Sequence, residues 1–231
     1  MTGAPAGAAT LAATLAGEPV VLHADRALSW PRARTLFVAD VHLGKAAAFR
    51  AGGVPVPRGT TGGDLARLSA LVAATGAARI VVLGDFLHAA AGRVEALDAA
   101  FVAWRDAHAA LDLLLVRGNH DSRAGDPPPH WGVRTVAAPH PEAPFLCCHE
   151  PHEPPTGYAL CGHVHPGVRL GEPGGDAVRL SCFILGRRHA LLPAFGRFTG
   201  LAMVAPAPGE QRVATTGTRL FVLPALVRRP G

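Results

Sequence analysis

Seven side chains in this sequence of 231 residues are of types that grip divalent cations: Asp40, His42, Asp85, Asn119, His149, His163 and His165. They fall into five short groups. Asp40 and His42 lie two residues apart, so in extended chain both can face one cation. Asp85, after Gly84, is the carboxylate suited to bridging, because one carboxylate can give an oxygen to each of two cations about 3.5 to 4 Å apart. Taken alone it could equally be the N-cap of a helix. Gly118-Asn119-His120-Asp121 sets an amide oxygen, an imidazole and a carboxylate side by side, where a plain turn needs only the glycine and the asparagine. Here Asn119 reads as a ligand, His120 as a proton donor or charge stabiliser at a scissile phosphate, and Asp121 as the group that fixes the His120 tautomer. His149 and Gly162-His163-Val164-His165 add three more imidazoles. Such a set can run two-metal hydrolysis, in which the cations acidify a bridging water and neutralise phosphate oxygens, so that in-line attack by hydroxide needs no protein nucleophile.

Short apolar runs precede each group, and their length is that of strands. Thr35 to Ala39 stops at Asp40, Ile80 to Leu83 at Gly84 and Asp85, Leu113 to Val116 shortly before Asn119 and His120, Phe145 to Cys148 at His149, and Tyr158 to Cys161 before His163. Ligands gather beyond the carboxyl ends of strands in layered α/β folds, so five such ends can share one site. Asp64 to Ala74 and Ala96 to Ala109 carry apolar residues at helical spacing and are expected as helices covering a sheet. Val20 to Trp30 reads as one strand broken at Pro31. Ala177 to Leu192 reads as a hairpin turning near Gly186 to His189, and Arg219 to Leu223 as a last strand. The proline-rich pieces Asp126 to Pro129 and Pro139 to Pro144 are expected as loops. With no internal repeat and no long linker, the reading is a disordered tail over residues 1–18 and a single domain over 19–231.

In order and spacing the five groups resemble the motifs of the calcineurin-like metallophosphoesterase superfamily. Trp30, Phe37 to Arg50, Val54 to Thr61 and Pro193 to Gly200 further resemble the PdeM family of bacterial ligase-associated DNA damage response endonucleases. The resemblance implies a four-layer α-β-β-α sandwich of two mixed sheets. It implies one cation on Asp40, His42, Asp85 and His165 and a second on Asp85, Asn119, His149 and His163, with manganese the metal. The donor set itself suits manganese, iron or zinc. It also implies a phosphodiesterase or endonuclease acting on DNA, in repair with a DNA ligase, a DEXH-box helicase and an exonuclease. Phosphoprotein phosphatases of the superfamily carry Asp and Arg after the Gly-Asp pair, whereas this chain reads Gly84-Asp85-Phe86-Leu87-His88, which argues against that branch.

Lys45, the only lysine in the chain, and Arg50, Arg58, Arg123 and His88 are the candidates for substrate contacts, a solvated surface charge being the alternative for each. A net charge of +5 and a pI near 9.7 suit a polyanionic partner, or else scattered arginines that only solubilise the surface. A hydrophobic content of 49% excludes a disordered chain, and no apolar run reaches the roughly 20 residues of a membrane helix. Cys147, Cys148, Cys161 and Cys182 lie in apolar runs without metal-binding spacing, so reduced, packed thiols and a cytoplasmic setting are expected. His23, His108, His130, His140, His152 and His189 lie outside the pattern and read as structural or surface residues. The alternatives to a DNA endonuclease are a hydrolase of cyclic nucleotides or nucleotide polyphosphates, or a non-catalytic scaffold; the latter requires loss of His120 or a ligand, and none is lost.

Overall fold

A computed structural model describes residues 7–57, 59–171 and 176–225. Seven strands form the first sheet in chain order: β1 (Thr10–Leu15), β2 (Glu18–His23), β3 (Ala27–Trp30), β4 (Thr35–Val38), β5 (Arg79–Leu83), β6 (Asp112–Val116) and β7 (Val133–Val136). The first four pair antiparallel, as short turns allow, and β4 to β7 pair in parallel. Among the crossovers between the parallel strands are α1 (Lys45–Ala51), α2 (Thr60–Thr75), α3 (Glu95–Ala107) and α4 (Asn119–Ala124).

The second sheet holds β8 (His140–Glu142), β9 (Phe145–Cys147), β10 (Tyr158–Cys161), β11 (Pro166–Gly171), β12 (Ala177–Leu185), β13 (His189–Leu191), β14 (Ala202–Met203), β15 (Gln211–Thr215) and β16 (Leu220–Val222). Its path runs β14-β11-β12-β13-β10-β9-β8, with β15 and β16 branching from the long strand β12. β9, β10 and β13 are parallel to one another, so the ends of β9 and β10 emerge on the same side.

The expected pair of mixed sheets packed face to face is what the chain forms. One core lies between them, with Phe37, Val81 and Leu114 of the first sheet meeting Phe145, Leu160 and Phe183 of the second. Alternation along the same strands sends Leu36, Ile80 and Leu113 to the other face, where Leu65, Leu68 and Leu71 of α2 and Leu97, Phe101 and Trp104 of α3 cover them. Among the described residues no helix follows Trp131, and the outer face of the second sheet is packed by Val164, Val204 and Leu223 from loops and strand ends.

Several local expectations are corrected. Thr10–Leu15, placed in a disordered tail, forms edge strand β1 across six residue pairs with β2; residues 1–6 of that tail lie outside the described residues. The single strand over Val20 to Trp30 is two, β2 and β3, folded at Arg26, whose φ of 67° is the left-handed conformation of a tight turn. The loop over Pro139 to Pro144 contains β8, which pairs with β9.

Candidate metal centre

Each ligand group sits just past a strand. Asp40 and His42 follow β4, Asp85 follows β5, Asn119 and His120 open α4 after β6, His149 follows β9, and His163 and His165 follow β10. Backbone bonds zip the first two loops together: Asp40 N–H donates to the Gly84 carbonyl at 3.1 Å and His42 N–H to the Asp85 carbonyl at 2.9 Å. Eight described non-glycine residues have positive φ, and five of them are Asp40, His42, Asp85, His163 and His165. That conformation costs roughly 1 to 2 kcal/mol for a residue with a side chain, and such strain concentrates where geometry serves function.

Two glycines make room for the site. A Cβ on Gly84, where φ is 79°, would run into the His149 ring, and a Cβ on Gly118 would meet the Asp85 carboxylate and its backbone nitrogen.

The seven donors converge as two adjacent groups. Ligand atoms of Asp40, His42 and His165 lie within 4.8 Å of one another, as do those of Asp85, His149 and His163. His42 Nε2 is 3.3 Å from His165 Nε2 and 3.8 Å from Asp85 Oδ2, and His165 Nε2 is 3.6 Å from Asp40 Oδ1. On the other side His149 Nε2 lies 3.4 Å from Asp85 Oδ1, 3.0 Å from His163 Nδ1 and 2.9 Å from Asn119 Oδ1. Asp85 thus turns one oxygen to each group. Bonds of about 2.1 Å to a common cation would set ligand atoms roughly 3 to 4 Å apart, which is the spacing found.

Chemistry supports the fit. His149 Nδ1 donates to the Leu83 carbonyl at 3.1 Å, so in the neutral ring Nε2 carries a lone pair aimed at the lone pairs of Asn119 Oδ1. Facing acceptors at that distance repel unless a cation lies between them. Burial, reinforced by Lys45, His165, His120 and His88, pushes the His42 imidazole down to about 2, leaving it neutral and able to ligate. Asp40 is fully buried and accepts the His163 N–H, while Asp85 Oδ1 accepts the His120 N–H at 2.8 Å. These donors fix the carboxylates and leave further lone pairs for a metal.

His120 stands at the rim, its Nε2 3.9 Å from Asp85 Oδ2. Its Nδ1 donates to the His88 carbonyl at 2.7 Å, and that bond, not Asp121, sets its tautomer. Asp121 is the corrected residue: fully buried, it accepts Leu87 N–H at 2.8 Å and Gly118 N–H at 2.9 Å, bracing the loop after β5 against the start of α4.

The candidates for substrate contact divide. Half-buried Lys45 is held below its ordinary value by burial, while the charges of Asp85 and Asp40 pull the other way, and its backbone N–H sits on the His42 carbonyl at 3.1 Å. His88 also belongs there. Its ring stacks on His120 with centroids 4.8 Å apart, its Nδ1 is 3.3 Å from His42 Nδ1, and burial, then Lys45 and His120, lowers it to about 4. Arg50 is turned to the Val56 and Pro57 carbonyls, Arg123 is exposed on α4, and Arg58 lies outside the described residues. A role for His88 was only faintly readable, because its carbonyl and its stacking carry no signature in the sequence.

The remaining expectations concern bland residues. All four cysteines are free and buried. His23, His108 and His130 bond Ser29, Ser69 and Asp98 away from the centre.

A family model of calcineurin-like phosphoesterases matches residues 33–152. Among solved structures, the Pseudomonas putida nuclease MPE is 39% identical with a TM-score of 0.81, and the match covers 93% of this chain and all of that one. Yfce, a phosphoesterase from E. coli, is 16% identical with a TM-score of 0.39 over 78% of this chain and 86% of its own. No curated protein sequence matches significantly.

Proposed function

The chain belongs to the calcineurin-like phosphoesterase family, and from that premise we propose that it is a manganese-dependent phosphodiesterase that cleaves DNA as an endonuclease. Hydrolysis of phosphoester bonds is the activity of the family. The observation that carries the reading is the meeting of seven donors as two groups sharing the Asp85 carboxylate, with His120 beside them.

Asp40, His42, Asp85 and His165 would hold one cation, and Asp85, Asn119, His149 and His163 the other. Two bound cations would acidify water and neutralise phosphate charge. The chain supplies the rest. His120, its Nδ1 held by the His88 carbonyl, presents Nε2 to protonate the departing ester oxygen. Lys45 adds positive charge beside the carboxylates, where a phosphate would sit. DNA as substrate is supported by the nuclease neighbour, the net charge of +5 and the resemblance in motifs. Manganese, and joint work with a DNA ligase, a DEXH-box helicase and an exonuclease in repair, rest on that resemblance.

Hydrolysis of bis-p-nitrophenyl phosphate with added manganese, compared with Asp85→Ala, tests the centre: the variant should lose activity. Nicking of supercoiled plasmid tests the DNA reading. His120→Ala should lower nicking by about 10² to 10⁴, the usual share of a general acid. Wild-type protein that turns over the small ester but never nicks DNA would remove the endonuclease and leave a small-molecule phosphodiesterase.

A further inference from the structure

The only exposed aromatic side chain among the described residues stands beside this centre. Phe49 is 36% exposed in a chain whose aromatic content is only 6%, and most of its other rings are buried. It lies four residues after Lys45 on α1, so the two share one face of that helix. Lys45 opens α1 beside the ligand loop, its backbone N–H on the His42 carbonyl at 3.1 Å, and Phe49 is one turn further along the same face.

Its neighbours are rings. Phe49 lies 6.0 Å from the His88 ring, tilted by 38°, and His88 in turn stacks on His120 at 4.8 Å. On its other side Phe198, from the loop after β13, packs edge-on at 5.4 Å and 84°. Edge-on contact holds the Phe49 ring in place while leaving part of it open. A ring already ordered by its neighbours loses little freedom when another flat group lies on it.

We propose that Phe49, steadied by Phe198, is the binding site for the base of the leaving nucleoside, the one esterified through the oxygen that His120 protonates. This rests on the phosphodiesterase reading above, which puts the leaving group on the His120 side. A nucleoside reaching from that oxygen past His120 and His88 arrives at Phe49 about one nucleotide from the phosphate. Stacking on a phenyl ring accepts any base, since each has a flat π face, and it works alongside a cation that holds the phosphate. Here Lys45 and Phe49, one helical turn apart, would take phosphate and base.

The test uses manganese-loaded protein, a dinucleoside phosphate and its two counterparts that each lack one base. Phe49→Ala should lower kcat/KM about tenfold on the parent, mainly through KM, and Phe49→Trp should restore it. The defect should persist when the base on the retained side is missing and vanish when the leaving-side base is missing. Equal losses on all three compounds, no loss on any, or a change of oligomeric state in Phe49→Ala would each overturn the proposal, the last assigning the ring to contact between copies. If the wild type cleaves none of the three nor bis-p-nitrophenyl phosphate, the phosphodiesterase reading fails on its own, and in either case a 2-aminopurine dinucleotide decides the base site separately. Quenching lost in Phe49→Ala supports the site; equal quenching sinks it.

Discussion

At the scale of the residue, the site is a set of lone pairs held in place by backbone donors. Asp121 shows how such support works without touching substrate. Its two oxygens accept the Leu87 and Gly118 N–H groups in a fully buried position, and burial raises its carboxyl while those same donors lower it. Asp121→Asn would turn an amide NH₂ against one of the two N–H groups, leaving a buried donor unpaired at a cost of about 1 to 3 kcal/mol. We expect a lower midpoint in urea with the pH profile of turnover unchanged, because His120 takes its tautomer from His88. A displaced pH profile in a stably folded Asp121→Asn protein would restore the tautomer role read from the sequence. That these seven side chains and His120 would meet was legible, since metals accept few side-chain types and these stood at the ends of apolar runs. What Asp121 does was hidden, because Leu87 is a backbone partner 34 positions away and any residue could supply that N–H.

At the scale of the element, parallel strands bring the loops to one rim, and glycines let them touch. β4, β5 and β6 were readable as short apolar runs because both their faces are covered, by the second sheet and by α2 and α3. β1 and β8 were not, since an edge strand half open to solvent shows little contrast with a loop, as the alternating exposure of Thr10–Leu15 illustrates. Gly84 carries the sharpest prediction at this scale. Gly84→Ala combines a left-handed φ of 79° with a Cβ driven into the His149 ring. The backbone term alone costs about 1 to 2 kcal/mol, and relief of the clash must move His149 away from Asp85 and Asn119. The expected result is a folded protein that has lost much of its affinity for the cation shared by Asp85, Asn119, His149 and His163. Isothermal titration with manganese should show that weakening, with the site formed by Asp40, His42 and His165 less affected. Two unchanged binding events in Gly84→Ala would mean that the loop after β5 has slack that the close packing at Gly84 does not suggest.

Across the whole molecule, the centre lies where the two sheets meet, with five ligand-bearing loops from the first and second sheets converging through Asp40, Asp85, Asn119, His149 and His163. The strand order and the branch at β12 were not legible, because pairing across long separations leaves no local periodicity. Metal should therefore act as a clamp between sheets. Ligand atoms that repel one another, and five strained backbone positions, are tolerated in the folded chain and compensated once cations bind. A ligand bound only by the folded state, at a hundred times its dissociation constant, adds about 2.7 kcal/mol per site, and for a chain of this size each kilocalorie raises Tm by roughly 2 to 4 °C. Manganese should raise Tm of the EDTA-treated protein by about 5 to 10 °C per occupied site. Asp85→Asn, which replaces one of the two oxygens that Asp85 turns to the two groups and removes its charge, should abolish most of that rise while leaving the metal-free Tm nearly unchanged or higher, since a buried charge has gone. Scanning calorimetry of the two proteins with and without manganese measures the difference directly. An identical metal-induced rise in both would show that the ions stabilise some other part of the fold and that Asp85 does not join the sheets through them.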